Sequence, residues 1–222
     1  MIRCKDISKK YKKESVITKT NLRIRTNKIS FLMGANGTGK TTFIKCMMGL
    51  EKCEGQFIFG SNSLDDIKDQ CLVIWDDCPF YTNLSGLKNL LLFSESKKTK
   101  EEIIKIAMMY MDKDLLNRKV KTYSYGQKKK LALILIEVLQ PKYLVLDEIS
   151  NGLDYDTMKI LQKQIKLWAK HMTIFLTGHQ FGFYNDLIDD LYVFENKQIK
   201  FLKENFSKEN VRLEDVYDYQ SG

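Results

Sequence analysis

The 222-residue chain carries 36 Lys and Arg against 28 Asp and Glu, a formal charge of +8, with 44% apolar and 29% charged residues. That balance suits a globular chain with a buried core and excludes disordered, collagenous and low-complexity classes. No apolar run approaches the roughly 20 residues of a bilayer span; residues 131–136, for example, are closed by Glu137.

In chain order, residues 22–24, 29–33 and 56–59 read as short strands, and the second runs directly into a glycine-rich stretch. Residues 71–75 read as a further buried strand. From about residue 84 to 139 the pattern turns helical, with Ile103, Ile106, Ala107 and Tyr110 at three- and four-residue spacing. Residues 143–146 form a continuous apolar run of strand length. Residues 156–170 then read as a helix with Met158, Leu161, Ile165 and Trp168 on one face, and residues 173–177 as a β-branched strand. This alternation predicts a parallel sheet with helices packed on it. Residues 191–194 and 198–202 predict a hairpin at the sheet edge, around Glu195, Asn196 and Lys197. With no repeat and only two prolines, Pro79 and Pro141, a single domain over residues 1–222 is expected.

The first six residues hold no apolar leader, so the expected compartment is the cytosol. Cys4, Cys46, Cys53, Cys71 and Cys78 form no CxxC pair and are expected as reduced core or loop thiols. The positive surplus favours an anionic partner: nucleic acid, nucleotide or the inner membrane face. The lysine clusters at 9–13 around Tyr11, at 97–100 and at 128–130 each read as solvated faces.

Gly34 to Thr41 fits the phosphate-loop pattern GxxxxGK[ST], between a strand ending at Met33 and a predicted helix from Thr41. Gly34, Asn36, Gly37, Thr38 and Gly39 would turn backbone N–H groups towards phosphate oxygens, with Thr42 following in the helix, whose N-terminus adds positive potential. Lys40 suits the β- and γ-phosphates and the Thr41 hydroxyl suits Mg²⁺. Asp147 and Glu148 stand at the C-terminal end of a buried strand, where α/β sheets bind ligands. Asp147 suits the Mg²⁺ shell, and Glu148 suits polarising a water for attack on the γ-phosphate. Ser124 and Gln127 are spaced as a capping box opening the helix 128–139, with Gly126 between them.

Together these motifs resemble the nucleotide-binding subunit of an ABC transporter, in order and over essentially the whole chain. The resemblance implies an α/β phosphate-loop NTPase with a parallel-sheet core, an N-terminal antiparallel β part and a helical insertion at about 84–140. It implies ATP hydrolysis with Mg²⁺. Tyr11 stands at the adenine-stacking position, and Ser124, Gly126 and Gln127 lie in the signature sequence. Residues 150–154, ending in Asp154, resemble the loop that touches a second nucleotide-binding subunit, and His179, after the strand 173–177, resembles the switch histidine. Each ATP would lie between Lys40 of one copy and the signature residues of another. A separately encoded transmembrane permease is expected to dock on the helical insertion, which would place the chain at the cytoplasmic face of the membrane.

Three positions depart from the family pattern. Asp76 replaces a glutamine after the strand 71–75; it is expected still to sense Mg²⁺ or the attacking water but, as an acceptor only, to couple more weakly to the γ-phosphate, so that Asp76→Gln would raise turnover. Ile149 replaces a proline, and Tyr125 occupies a variable signature position. Residues 76–90 and 213–217 are most similar to exporters of drugs, antibiotics or peptides. The alternative, a soluble ABC ATPase on ribosomes or nucleic acid, has a pI near 9.1 in its favour. A single phosphate loop 107 positions before Asp147, with no sustained heptads, argues against it, and no nucleic-acid partner is expected.

Overall fold

A computed structural model of the chain describes residues 1–78, 80–95, 97–209 and 211–221. Two sheets organise it. The smaller is antiparallel, in the order β2-β1-β4, from β1 (Ile2–Tyr11), β2 (Glu14–Ile24) and β4 (Glu54–Phe59). The larger runs in the order β5-β6-β7-β3-β8-β9. Its strands are β3 (Ile29–Met33), β5 (Cys71–Ile74), β6 (Tyr143–Asp147), β7 (Thr173–Thr177), β8 (Asp190–Glu195) and β9 (Gln198–Glu204). All its pairings are parallel except β8 with β9, the hairpin read from the sequence at the sheet edge.

The apolar runs of β3, β6 and β7 are continuous because both faces of this sheet are buried. Alternate residues feed two different cores. Phe31, Leu144, Leu146, Ile174 and Leu176 face one core, shared with helices α5 (Tyr125–Leu139) and α6 (Tyr155–Trp168). Leu32, Tyr143, Val145 and Phe175 face the other, closed by α1 (Lys40–Met47) and by Ile2, Ile7, Ile17 and Phe59 of the antiparallel sheet. The helix read at 156–170 is α6, with Leu161, Ile165 and Trp168 buried and Met158 packed at the margin of the same core.

Between β5 and β6 lie α2 (Gly86–Ser94), α3 (Lys100–Ala107), α4 (Lys113–Asn117) and α5. Side-chain caps at Ser85, Thr99, Asp112 and Ser124 each accept a backbone N–H in the first turn, which is why this polar stretch breaks into separate helices. Strand β1 escapes sequence reading: its lysines and Asp6 mask the buried Ile2, Cys4 and Ile7, and Asp6 sits at φ 52° where the register slips. Among the described residues no helix is long and apolar enough to cross a membrane.

All five cysteines are free thiols, and Cys4, Cys46 and Cys78 are buried, in keeping with their sequence reading. Burial pushes the Cys46 and Cys71 thiols up to about 12 and Cys78 up to about 11. The thiolate is the reactive form, so a raised value empties it at neutral pH. Native protein at pH 7 is therefore expected to react with a maleimide far more slowly at every cysteine than the urea-unfolded chain. Rapid native labelling of Cys46, Cys71 or Cys78, located by peptide mapping, would contradict this packing.

Candidate functional site

The carboxyl ends of four neighbouring parallel strands supply the site. The phosphate loop follows β3, Asp76 follows β5, Asp147 ends β6, and His179 follows β7. The loop closes on α1, where Gly39 (φ 113°) is the N-cap. A Cβ on Gly39 would meet Val16 at 2.7 Å, so the tight turn into α1 requires glycine. Lys40 is only 7% exposed, and its Nζ donates to the carbonyls of Gly34 at 2.7 Å and Ala35 at 3.1 Å. Asn36 and Gly37 are exposed at the crest of the loop. The Thr38 hydroxyl donates to the Ala35 carbonyl at 2.9 Å.

Thr41 donates from Oγ1 to Asp147 Oδ2 at 3.1 Å, while the Thr177 hydroxyl, in register across the strand pair, donates to Asp147 Oδ1. Glu148 turns out of the strand in the left-handed region at φ 55°, with its backbone N–H on the Thr177 carbonyl at 3.3 Å. His179 Nε2 lies 3.3 Å from both Glu148 Oε1 and Lys40 Nζ. Glu148 Oε2 is buried and no donor among the described residues meets it with hydrogen-bond geometry, although the Asn151 side chain lies near enough to the carboxylate to favour its charged form. Burial raises the Glu148 carboxyl, while Lys40 pulls it back down. Burial lowers His179, and Lys40 lowers it further, so the imidazole is held towards its neutral form. Burial likewise lowers Lys40, against Glu148 and Asp147.

Asp76 lines a cleft of about 410 Å³ together with Thr41, Trp75, Asp77 and Asp147. Its carboxylate accepts hydrogen bonds from Tyr125 Oη and from Lys129 Nζ. Tyr11 stands at the end of β1, where its hydroxyl donates to Glu51 and also meets the Thr42 side chain of α1. The structure thus brings Lys40, Thr41, Asp76, Asp147, Glu148 and His179 together, with Tyr11 flanking Thr42.

Among the described residues Ser124, Gly126 and Gln127 have no hydrogen bond to that cluster, whereas Tyr125 between them reaches it through Asp76. Ser124 and Gln127 close the capping box on each other, Ser124 N–H donating to Gln127 Oε1 at 2.9 Å and Gln127 N–H to Ser124 Oγ at 3.2 Å. Gly126 has nothing within 4 Å of the space a Cβ would take. Asp154 caps α6 through the Thr157 N–H at 2.7 Å.

Lys129 corrects the sequence reading: expected on a solvated face within residues 128–130, it is completely buried. Its i+4 spacing from Tyr125 and to Leu133 on the apolar stripe of α5 is the signal that places it. Thr177, Glu51 and Tyr184 also escape sequence reading. Cys78, which follows Asp77, is buried, and Pro79 lies outside the described residues.

A glycine loop and lysine at a helix start, beside strand-end carboxylates, define a phosphate-loop nucleotide hydrolase. The chain belongs to the ABC transporter family, whose pattern matches residues 17–151, and is an ATP-binding, ATP-hydrolysing subunit of that family. It is 30% identical over 230 residues to the lantibiotic transport ATP-binding protein SrtF of Streptococcus pyogenes, covering 99% of this chain and 97% of that one. It is also 30% identical over 202 residues to the bacitracin transport ATP-binding protein BcrA of Bacillus licheniformis, covering 85% of this chain and 65% of that protein. Among solved structures, an ATP-binding subunit of an ABC transporter superposes with a TM-score of 0.89 at 20% identity over the full length of both chains. The expected fold, a parallel core with an antiparallel β part, is the one observed.

The loop 150–154 is held from within. Tyr184, buried at the end of α7 (Phe181–Tyr184), donates to the Thr177 carbonyl at 3.0 Å and pairs with Ser150 Oγ at 3.1 Å. Tyr184→Phe leaves the buried Ser150 hydroxyl without this partner and takes one of two donors from the Thr177 carbonyl, which keeps the Glu148 N–H, and is expected to cost about 1–3 kcal/mol. A lower urea midpoint at unchanged slope would show it, and an unchanged midpoint would contradict the network.

Proposed function

We propose that ATP binds along the strand ends, with its base on Tyr11 and its phosphates in the cradle of Gly34, Asn36, Gly37, Thr38 and Gly39, opening onto Thr42. Lys40 donates to the β- and γ-phosphate oxygens, Glu148 accepts a hydrogen bond from the attacking water, and His179 hydrogen-bonds the γ-phosphate. The observation that carries this reading is Glu148 Oε2, a buried acceptor that no donor among the described residues meets with hydrogen-bond geometry, in a carboxylate flanked by Lys40 and His179. A buried acceptor without a donor is costly, so a water held there is the natural occupant.

The paired oxygens of Thr41 and Asp147 fit Mg²⁺, which takes one or two protein oxygens and completes its shell from phosphates and water. Asp76 faces the same cleft. When bound, Mg²⁺ supplies charge neutralisation on the phosphates.

Ser124, Gly126 and Gln127, which have no hydrogen bond to the cleft of their own copy among the described residues, are assigned to the ATP of a second copy, with Asp154 and its loop at the seam. ATP closes this dimer and hydrolysis opens it. A separately encoded membrane subunit takes up the motion at the helical segment. Leu92, Met108 and Met109 are exposed there, and Phe93 and Ala132 of the same segment line an apolar groove with Leu72, Trp75 and Phe80. The chain then works at the cytoplasmic face of the membrane. The names of the two relatives favour an antibiotic or antibacterial peptide as cargo, and export as the direction rests on the resemblance of residues 76–90 and 213–217 to exporters.

Two variants test the site. Lys40→Ala is expected to abolish ATP binding by calorimetry, and binding at wild-type affinity would refute the phosphate-loop assignment. Glu148→Gln is expected to lower kcat by about 10²–10⁴-fold and to leave an ATP-bound dimer on size exclusion. Normal turnover in that variant would remove Glu148 from its role.

A further inference from the structure

Lys129 is 0% exposed in the second turn of the helix that opens with the signature residues, and none of the roles above uses it. Its Nζ lies 3.3 Å from Asp76 Oδ1 and 3.4 Å from the carbonyl oxygen of Glu148, and 5.2 Å from the centre of the Tyr125 ring. Tyr125, one turn earlier on the same face, donates from Oη to both the carboxylate and the carbonyl of Asp76. Its ring also packs on Gly152, where a Cβ would approach to 2.5 Å. Asp76 is the ion-pair partner of Lys129 among the described residues.

A lysine taken fully out of water is costly to bury and is tolerated only where its proton donors are met. Here they meet two segments that carry the reaction: the loop after β5 and the turn after β6. The Glu148 turn has a left-handed backbone, a conformation that persists only where its surroundings fix it.

We infer that Lys129 is a positioning residue for hydrolysis: it holds the Asp76 carboxylate against α5 and pins the Glu148 turn through its carbonyl, so that the two carboxylates face the cleft in one arrangement. The inference rests on the assignment of Glu148 above. It reverses the sequence-based expectation for Asp76→Gln. With a buried cation behind Asp76, removing the anion strands Lys129 and lowers turnover instead of raising it.

The test is a double-mutant cycle in the full chain. Lys129→Gln and Asp76→Gln are each expected to lower kcat by roughly 10- to 100-fold, the cost of misplacing a reacting group by about 1 Å, with KM for ATP changed by less than about threefold. In the double variant the two amides hydrogen-bond each other, Gln at 129 keeps a donor for the Glu148 carbonyl, and neither charge is stranded. Its kcat is expected above that of either single variant. Losses that multiply independently, or a wild-type kcat in Lys129→Gln, overturn the proposal.

Should Lys129→Gln alone fail to fold, Asp76→Gln decides the question, because Asp76 is half exposed. It must lose kcat and regain it when Lys129→Gln is added, and a wild-type kcat in Asp76→Gln overturns the proposal. Glu148→Gln run alongside separates the two levels. Normal turnover there defeats the site assignment, whereas an inactive Glu148→Gln beside a fully active Lys129→Gln defeats this inference alone.

Discussion

A parallel sheet buried on both faces leaves one place for polar chemistry, and the rest of this structure follows from that constraint. Residues such as Leu144, Val145, Leu146, Ile174 and Phe175 are at most 1% exposed, so the central strands β6 and β7 carry no charged group before Asp147 at the end of β6, and the buried Asp190 that opens β8 is paired with Arg25. Charge collects where the strands stop and loops begin. Because β5, β6, β7 and β3 are parallel neighbours, their carboxyl ends lie side by side. Segments separated by more than a hundred residues therefore converge, and the strand register itself sets Thr177 against Asp147.

The edge is electrostatically crowded. Asp76, Asp77, Asp147 and Glu148 are gathered at it, and two largely desolvated lysines approach from different sides, Lys40 from the phosphate loop and Lys129 from α5. Asp147 and Asp76 add to the burial cost of ionising Glu148 and Lys40 offsets part of it, while Lys129 pairs with Asp76. The +8 of the whole chain thus conceals a local excess of carboxylates. That arrangement suits a cleft designed around a cation and a polyanion together. The buried cation on the signature helix also links the chemistry of the cleft to the helix that presents Ser124 outward, the surface proposed to reach a second copy.

Local features were legible in the sequence. The phosphate loop, the strand ending at Asp147, the capping box of Ser124 and Gln127 and the β8–β9 hairpin each depend on residues within a few positions of one another, so spacing alone reports them. Features set by distant contacts were not legible. Thr177 meets Asp147 across 30 positions, Tyr184 meets Ser150 across 34, and Lys129 meets Asp76 across 53. Composition misled most at Lys129 and at β1. Lysines at 128 and 130 stay at least partly in solvent while the one between them points inward, a difference of helical phase that a count of charges does not contain. In β1, polar residues fill the exposed side of a strand whose alternate apolar residues form a core.

Whether one cleft is completed by a second copy is decided most directly by mixing two inactive variants. Lys40→Ala leaves the signature intact and destroys the phosphate site, and Ser124→Arg leaves the phosphate site intact and blocks the signature. Each alone is expected to be inactive. Their equimolar mixture, reconstituted with the membrane subunit, contains dimers in which the intact phosphate site of one copy faces the intact signature of the other, so ATPase activity is expected to return. A mixture no more active than its components, or a fully active Ser124→Arg, would contradict a site shared between two copies.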